Sequence, residues 1–491
     1  MSGTSALSRR LRQSGALALA VLAAACGGGQ SGGRFEPAGE FRGAAAADEP
    51  RAALVAQEVL NRGGSAGDAA VALAFAMTAT LPSRAGLGSG GACLVRGGAD
   101  KEPQGISFGV FSGRRDAVPT QAITFLPQPV GAAGDVAAPL LPRALAALHA
   151  RYGTLRWEQV VAPAEQLARF GTPISRALAR DAAAAGITIG GENGKPLGEG
   201  DPLAQPALAN TLAAIRTRGA GDLYTGDIAG AFIRALPESV DPARLRDAAP
   251  AFAPVDGTGF GDNVLYATQT PGGSDAVALW KAMARDRRAD RKDPAQRAAA
   301  VAEGGSKAGL PAFAAAPGGQ QEGTAPAAGF VVVDRRGAAV ACSLTMGRLF
   351  GIGRLAGTTG ILPAVPVGDG DAAAHAVAAL LVTNDNVVQF VAGAAAGGDT
   401  AGPAALLDVM LGAAAAEQPL QRVIAEPRVV PAAAATYAEA GLTLPAAETR
   451  EQLGRVSAVA CPGGLPNRPE SCSAAADPRG AGLAVIADKA K

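Results

Sequence analysis

Gln57-Glu58-Val59-Leu60-Asn61-Arg62-Gly63-Gly64-Ser65-Ala66-Gly67-Asp68-Ala69-Ala70, with Gly86-Leu87-Gly88-Ser89-Gly90-Gly91-Ala92-Cys93-Leu94-Val95 a short way on, is the stretch on which the reading of this chain turns. Ala52, Val55, Ala56, Val59 and Leu60 recur at helical spacing, so one face of a helix is apolar, and Gly63-Gly64 ends it. Asp68 opens the next apolar run, Ala69 to Thr80, where a carboxylate suits the positive end of a helix. Pro82 and the glycine-rich turn 86–91 break that run, and Ala92 to Arg96 reads as a buried strand.

Working outward, residues 139–182 read as helical, in segments Leu140 to His149 and Trp157 to Arg169 separated by the turn Tyr152-Gly153-Thr154-Leu155. Pro206 to Arg218 is a further helix, and residues 264–274 read as a strand and a Pro-Gly-Gly turn. Charges cluster from Arg285 to Asp293 and Gly, Ala and Pro follow, so 286–326 reads as a mobile linker. Strands then return as a hairpin: Phe330 to Asp334, a turn at Arg335-Arg336-Gly337, and Ala338 to Ser343. Ala379 to Thr383 and Val387 to Val391 follow, then a glycine-rich turn and a helix from Pro403 to Ala416.

The opening stretch resembles that of the γ-glutamyltransferases, which are N-terminal-nucleophile (Ntn) hydrolases. Arg151 to Ala164, Leu223-Tyr224-Thr225-Gly226-Asp227-Ile228, Ala425-Glu426-Pro427-Arg428 and Ala476-Asp477-Pro478-Arg479 resemble blocks of the same family, so the likeness spans about residues 50 to 482. It implies an α/β (α+β) fold, a four-layer αββα sandwich. Residues 47–285 would form a large-subunit-like part and 327–491 a small-subunit-like part of one domain.

The family's chemistry, as the resemblance implies it, begins with self-cleavage before a threonine. The freed hydroxyl is the nucleophile and the α-amine its base. A Gly-Gly turn donates to the oxyanion, and an arginine fork grips the γ-glutamyl α-carboxylate. Counting back from Asp334, the nucleophile position holds Ala327, which has no hydroxyl. Thr324 lies three residues earlier, a shift of ~10 Å along an extended chain and an odd number, which reverses side-chain direction. The arginine position reads Gly109, with Arg114 and Arg115 a few residues on. Ser343 and Thr345 match hydroxyl positions, whereas Gly347 stands where the family has a substrate-contacting asparagine. A polar stretch is replaced by Pro363-Ala364-Val365-Pro366-Val367, Asp369 is the candidate amine-binding carboxylate, and His375-Ala376 stand near the family's paired serines. Gly397-Gly398 are the candidate oxyanion turn.

The expected function is therefore that of a γ-glutamyltransferase-family protein without autoprocessing or γ-glutamyl transfer. The alternative is an active γ-glutamyltransferase or glutathione hydrolase that cuts itself and uses Thr324, and a third reading moves the chemistry to Ser343 or Cys342. The enzyme using Thr324 would take a γ-glutamyl small molecule.

The chain of 491 residues has a net charge of +1, which gives no reason to expect a nucleic-acid partner. With only two histidines, His149 and His375, neither a metal site nor a cofactor is expected. Arg9, Arg10 and Arg12 precede a short apolar run, Ala16 to Ala25, that ends Leu22-Ala23-Ala24-Ala25-Cys26. Residues 1–25 thus resemble a bacterial lipoprotein signal, with lipid expected on Cys26, residues 26–46 as a flexible tether, and a membrane as partner. The expected location is the cell envelope, facing the periplasm, with the outer membrane favoured by Gly27 after Cys26. Cys461 and Cys472 flank a loop that a disulfide could staple, and Cys93 and Cys342 are either a pair or buried thiols.

Overall fold

The computed structural model describes residues 39–100, 102–109, 111–112, 136–191, 195–237, 239–289, 292–308, 327–368, 371–398, 400–431, 435–445 and 447–490. Thirteen strands build two antiparallel sheets. In chain order they are β1 (Gly39–Ala47), β2 (Gly90–Arg96), β3 (Gln104–Ser107), β4 (Ala251–Pro254), β5 (Thr258–Phe260), β6 (Asn263–Ala267), β7 (Ala327–Asp334), β8 (Ala339–Thr345), β9 (Ala379–Asn384), β10 (Gln389–Gly397), β11 (Arg455–Leu465), β12 (Ser473–Ala476) and β13 (Leu483–Ala490). The first sheet runs β13-β1-β7-β8-β2-β3-β4 and the second β12-β11-β10-β9-β6-β5.

The helices that cover them are α1 (Pro50–Asn61), α2 (Ala66–Thr80), α3 (Leu141–Tyr152), α4 (Trp157–Phe170), α5 (Pro206–Arg218), α6 (Pro271–Met283), α7 (Pro294–Ala308) and α8 (Gly402–Met410). Alternation along each strand sorts the layers. Phe330 and Val332 of β7 face one core with α1 to α5, whereas Val331 and Val333 face Leu381, Phe390 and Val459 of the second sheet. The far face of the second sheet packs on α6, α7 and α8. The result is the αββα sandwich, with mostly Ala and Val between the sheets.

Local chemistry explains the helix starts. Pro50 opens α1 and Glu49 caps it, accepting from the Ala52 N–H at 2.8 Å. Ser65 and Asp68 form a reciprocal capping box on α2, every residue of which is buried. Among the described residues two disulfides are present: Cys93–Cys342 joins facing positions of β2 and β8, and Cys461–Cys472 staples β11 to the lead-in of β12. No helix among the described residues is long and apolar enough to cross a membrane.

Three expectations need correction. Residues 39–46, read as the end of a tether, form most of β1, which pairs with β7 on one side and β13 on the other. Within the stretch read as a mobile linker, residues 294–308 form α7, where Ala298, Ala300 and Val301 are buried and Arg297 pairs with Glu426. Pro271-Gly272-Gly273, read as a turn, is the first turn of α6, capped by the Thr270 side chain. For β1 and α7 partners distant in sequence supply what the local composition lacks, and for α6 the adjacent cap does.

Candidate functional site

Ala327 is the first residue of β7 and is fully buried. It lies opposite Thr345 on β8, and its carbonyl accepts the Gly398 N–H at 3.2 Å, a bridge from the first sheet to the end of β10 in the second. Next along, Gly329 lies opposite Ser343, whose hydroxyl donates to the Ala396 carbonyl at 2.9 Å, again across the sheets. Thr345 Oγ1 accepts the Gly347 N–H at 3.0 Å. Register therefore brings Ser343, Thr345, Gly397 and Gly398 together around the start of β7. The Gly398 amide, expected as an oxyanion donor, is spent on Ala327 here.

Asp48, at the end of β1, completes the pinch. Its carboxylate accepts the Gly329 N–H at 3.1 Å and the Ser457 hydroxyl at 3.2 Å. Burial pushes the Asp48 carboxyl above its usual range, against the opposing pull of Arg455 and Arg84. Gly397 has to be glycine, because a Cβ there would collide with Asp48 Oδ2. Arg84 in turn is held by Asp181, with Nε at 2.7 Å from Oδ2, and Ser83 donates to the same carboxylate at 2.5 Å. Asp48 was invisible to motif reading, since it lies 279 residues before Ala327; its one sequence signal is a carboxylate directly after an alanine strand.

On the far side of Thr345 the wall is apolar. Met346, Ala364, Val367, Ala374 and Val377 cluster with Ala92 and Ala137. Gly347 has φ +77°, and a Cβ there would lie 2.5 Å from the Val365 carbonyl oxygen. The loop over Pro363–Val367 thus occupies the space that an asparagine side chain would need. His375 stands beside this cluster, its Nδ1 2.5 Å from Asp275 Oδ2 of α6, a pair that sequence reading also missed. Asp275 is 8% exposed, so the imidazole is oriented from behind by a buried partner.

Thr324, Arg114, Asp369 and Cys26 lie outside the described residues. Among the described residues no three His, Cys, Asp or Glu side chains converge as a metal site. What the described site can do is limited by its chemistry: a methyl at the head of β7, a Ser343 hydroxyl engaged across the sheets, a Thr345 hydroxyl bonded to the following loop, and an apolar wall.

The αββα layers and a strand that begins at this site define the class, a sandwich of the Ntn-hydrolase type. A cephalosporin acylase from Bacillus halodurans, as a crystal structure, superposes with a TM-score of 0.71 at 18% identity, covering 94% of this chain and 98% of that one. The family model described as Gamma-glutamyltranspeptidase matches residues 52–247. A glutathione hydrolase proenzyme of Bacillus subtilis is 31% identical over 38% of this chain and 34% of its own length. That of Escherichia coli is 32% identical over 40% and 36%. The matches to these curated relatives thus span about a third of their length. Over this segment the chain is similar to the gamma-glutamyltranspeptidase family.

Proposed function

We propose that this protein is a non-processing member of the gamma-glutamyltranspeptidase family, a lipid-anchored envelope protein that neither cuts itself nor transfers γ-glutamyl groups. One observation carries the reading: the residue at the head of β7, the position to which the resemblance assigns the nucleophile, is Ala327, buried and bonded into both sheets. The closed space at Gly347 and the apolar Pro363–Val367 loop support it, because a γ-glutamyl group needs polar partners for its amine and carboxylate. Lipid on Cys26 rests on the run Leu22-Ala23-Ala24-Ala25-Cys26. Two disulfides accord with an oxidising compartment.

The test is the intact mass and N-terminal sequence of the chain purified from Gly27 onward, with γ-glutamyl-p-nitroanilide turnover measured on the same sample. One uncut chain without turnover is expected. A second fragment beginning at Thr324, with turnover, would replace this reading by that of an active glutathione hydrolase.

A further inference from the structure

Past Thr345 the chain makes a loop, residues 346–365, that is tied down at close intervals. Phe350 donates its N–H to the Ser83 carbonyl at 2.8 Å, Ile352 to Pro363 at 3.0 Å, Ala356 to Ile361 at 2.8 Å and Val365 to Met346 at 3.1 Å. Phe350 is held at φ +60° with its ring buried. A bulky side chain in the left-handed region is strained, and such strain gathers at ligand clamps. The loop presents Arg348 and Arg354 to a cavity of about 470 Å³, whose other walls are Val136, Ser239, Ile352, Val365 and Pro366. Arg348 is braced, its Nε donating to the Gly351 carbonyl at 2.7 Å, which leaves its two terminal nitrogens to turn elsewhere. Among the described residues neither arginine has a carboxylate partner.

We propose that this cavity is a binding site for a small carboxylate with an apolar substituent, gripped by Arg348 and Arg354 with Ser239 beside them. Two guanidiniums line one cavity, and their planar forks match a carboxylate in bidentate geometry. Ile352, Val365 and Pro366 give the apolar part of the ligand a surface to cover. The volume suits a ligand of the size of an N-acylated amino acid. None of this depends on self-cleavage, so a cut chain would overturn the reading above and leave this one standing.

The test is calorimetric titration of the full chain with N-acetyl-L-leucine and with its uncharged counterpart, N-acetyl-L-leucinamide. The acid is expected to bind, the amide at least tenfold more weakly. Arg348→Ala combined with Arg354→Ala should weaken the acid at least tenfold, and Arg348→Lys should recover only part of the loss. Both side chains are exposed, so the melting temperature of the double variant without ligand should match that of the parent. No heat with the acid, equal affinity for acid and amide, or full affinity in a folded double variant would each overturn the proposal.

Discussion

Asp68 ties three segments together through one side chain. It accepts from the Ser65 N–H at 2.8 Å, from the Thr154 N–H at 3.0 Å and the Thr154 hydroxyl at 2.7 Å, and lies 3.4 Å from His149 Nε2. Burial alone would raise its pKa, but these bonds, with His149 foremost, outweigh that and hold the carboxyl well below the usual range. A depressed carboxyl contributes stability that is present above the unfolded pKa, about 4, and is lost as pH falls toward the folded value. Asp68→Asn should therefore cost about 2–4 kcal/mol at pH 7, read from the denaturation midpoint, with a smaller gap from the parent at pH 3. A gap that stays constant over that range would mean that the charge on Asp68 does not matter. The sequence already placed Asp68 at a helix start. It did not reveal Thr154 and His149 as partners, because a contact over more than 80 residues leaves no local pattern.

At the scale of elements, α7 separates what was legible from what was not. The hairpin of β7 and β8, the capped start of α2 and the limits of α5 follow from alternation, capping residues and 3.6-residue spacing, and the structure repeats them closely. Helix α7 follows a run of charges and carries Gly304-Gly305, so its composition argues for a linker. It is a helix because Arg297, fully buried, meets Glu426 and Asp408 from more than 100 residues away, and because Gly305 lets Pro431 approach. Similarly, β1 is largely Gly and Ala, ordered by pairing with β7 and β13. The site divides in the same way: Ser343, Thr345, Gly397 and Gly398 were named through the family resemblance, whereas Asp48 and Asp275 reach the same region from other elements. Removing one partner of a buried ion pair strands the other charge, so Arg297→Ala should cost about 3–5 kcal/mol. The same change with Glu426→Gln should cost less than the two single losses added together, since the stranded charge is then gone. Strict additivity in the denaturation midpoints would show that the two side chains are not coupled.

For the whole molecule, the decisive fact is that neither half of the chain owns a sheet. In the first sheet β1, β2, β3 and β4 come from before residue 309, and β7, β8 and β13 from after 326, with β1 lying between β13 and β7. In the second sheet β5 and β6 of the first half extend β9 to β12 of the second. Each half alone would expose unpaired strand edges and the apolar face of a divided core, which is the condition for aggregation. Cys93 and Cys342 join the halves covalently at facing positions of β2 and β8. Residues 39–308 and 327–490 produced separately should therefore be insoluble. Produced together in an oxidising compartment, they should copurify and migrate as one disulfide-linked band that reduction splits into two. Cys93→Ser should abolish the linked band while the pair still copurifies, because the sheets hold the halves together through backbone pairing and buried apolar contact. A soluble 39–308 piece with its own cooperative unfolding transition would show that the first half is a domain in its own right, and that the sandwich is assembled from finished parts rather than folded as one.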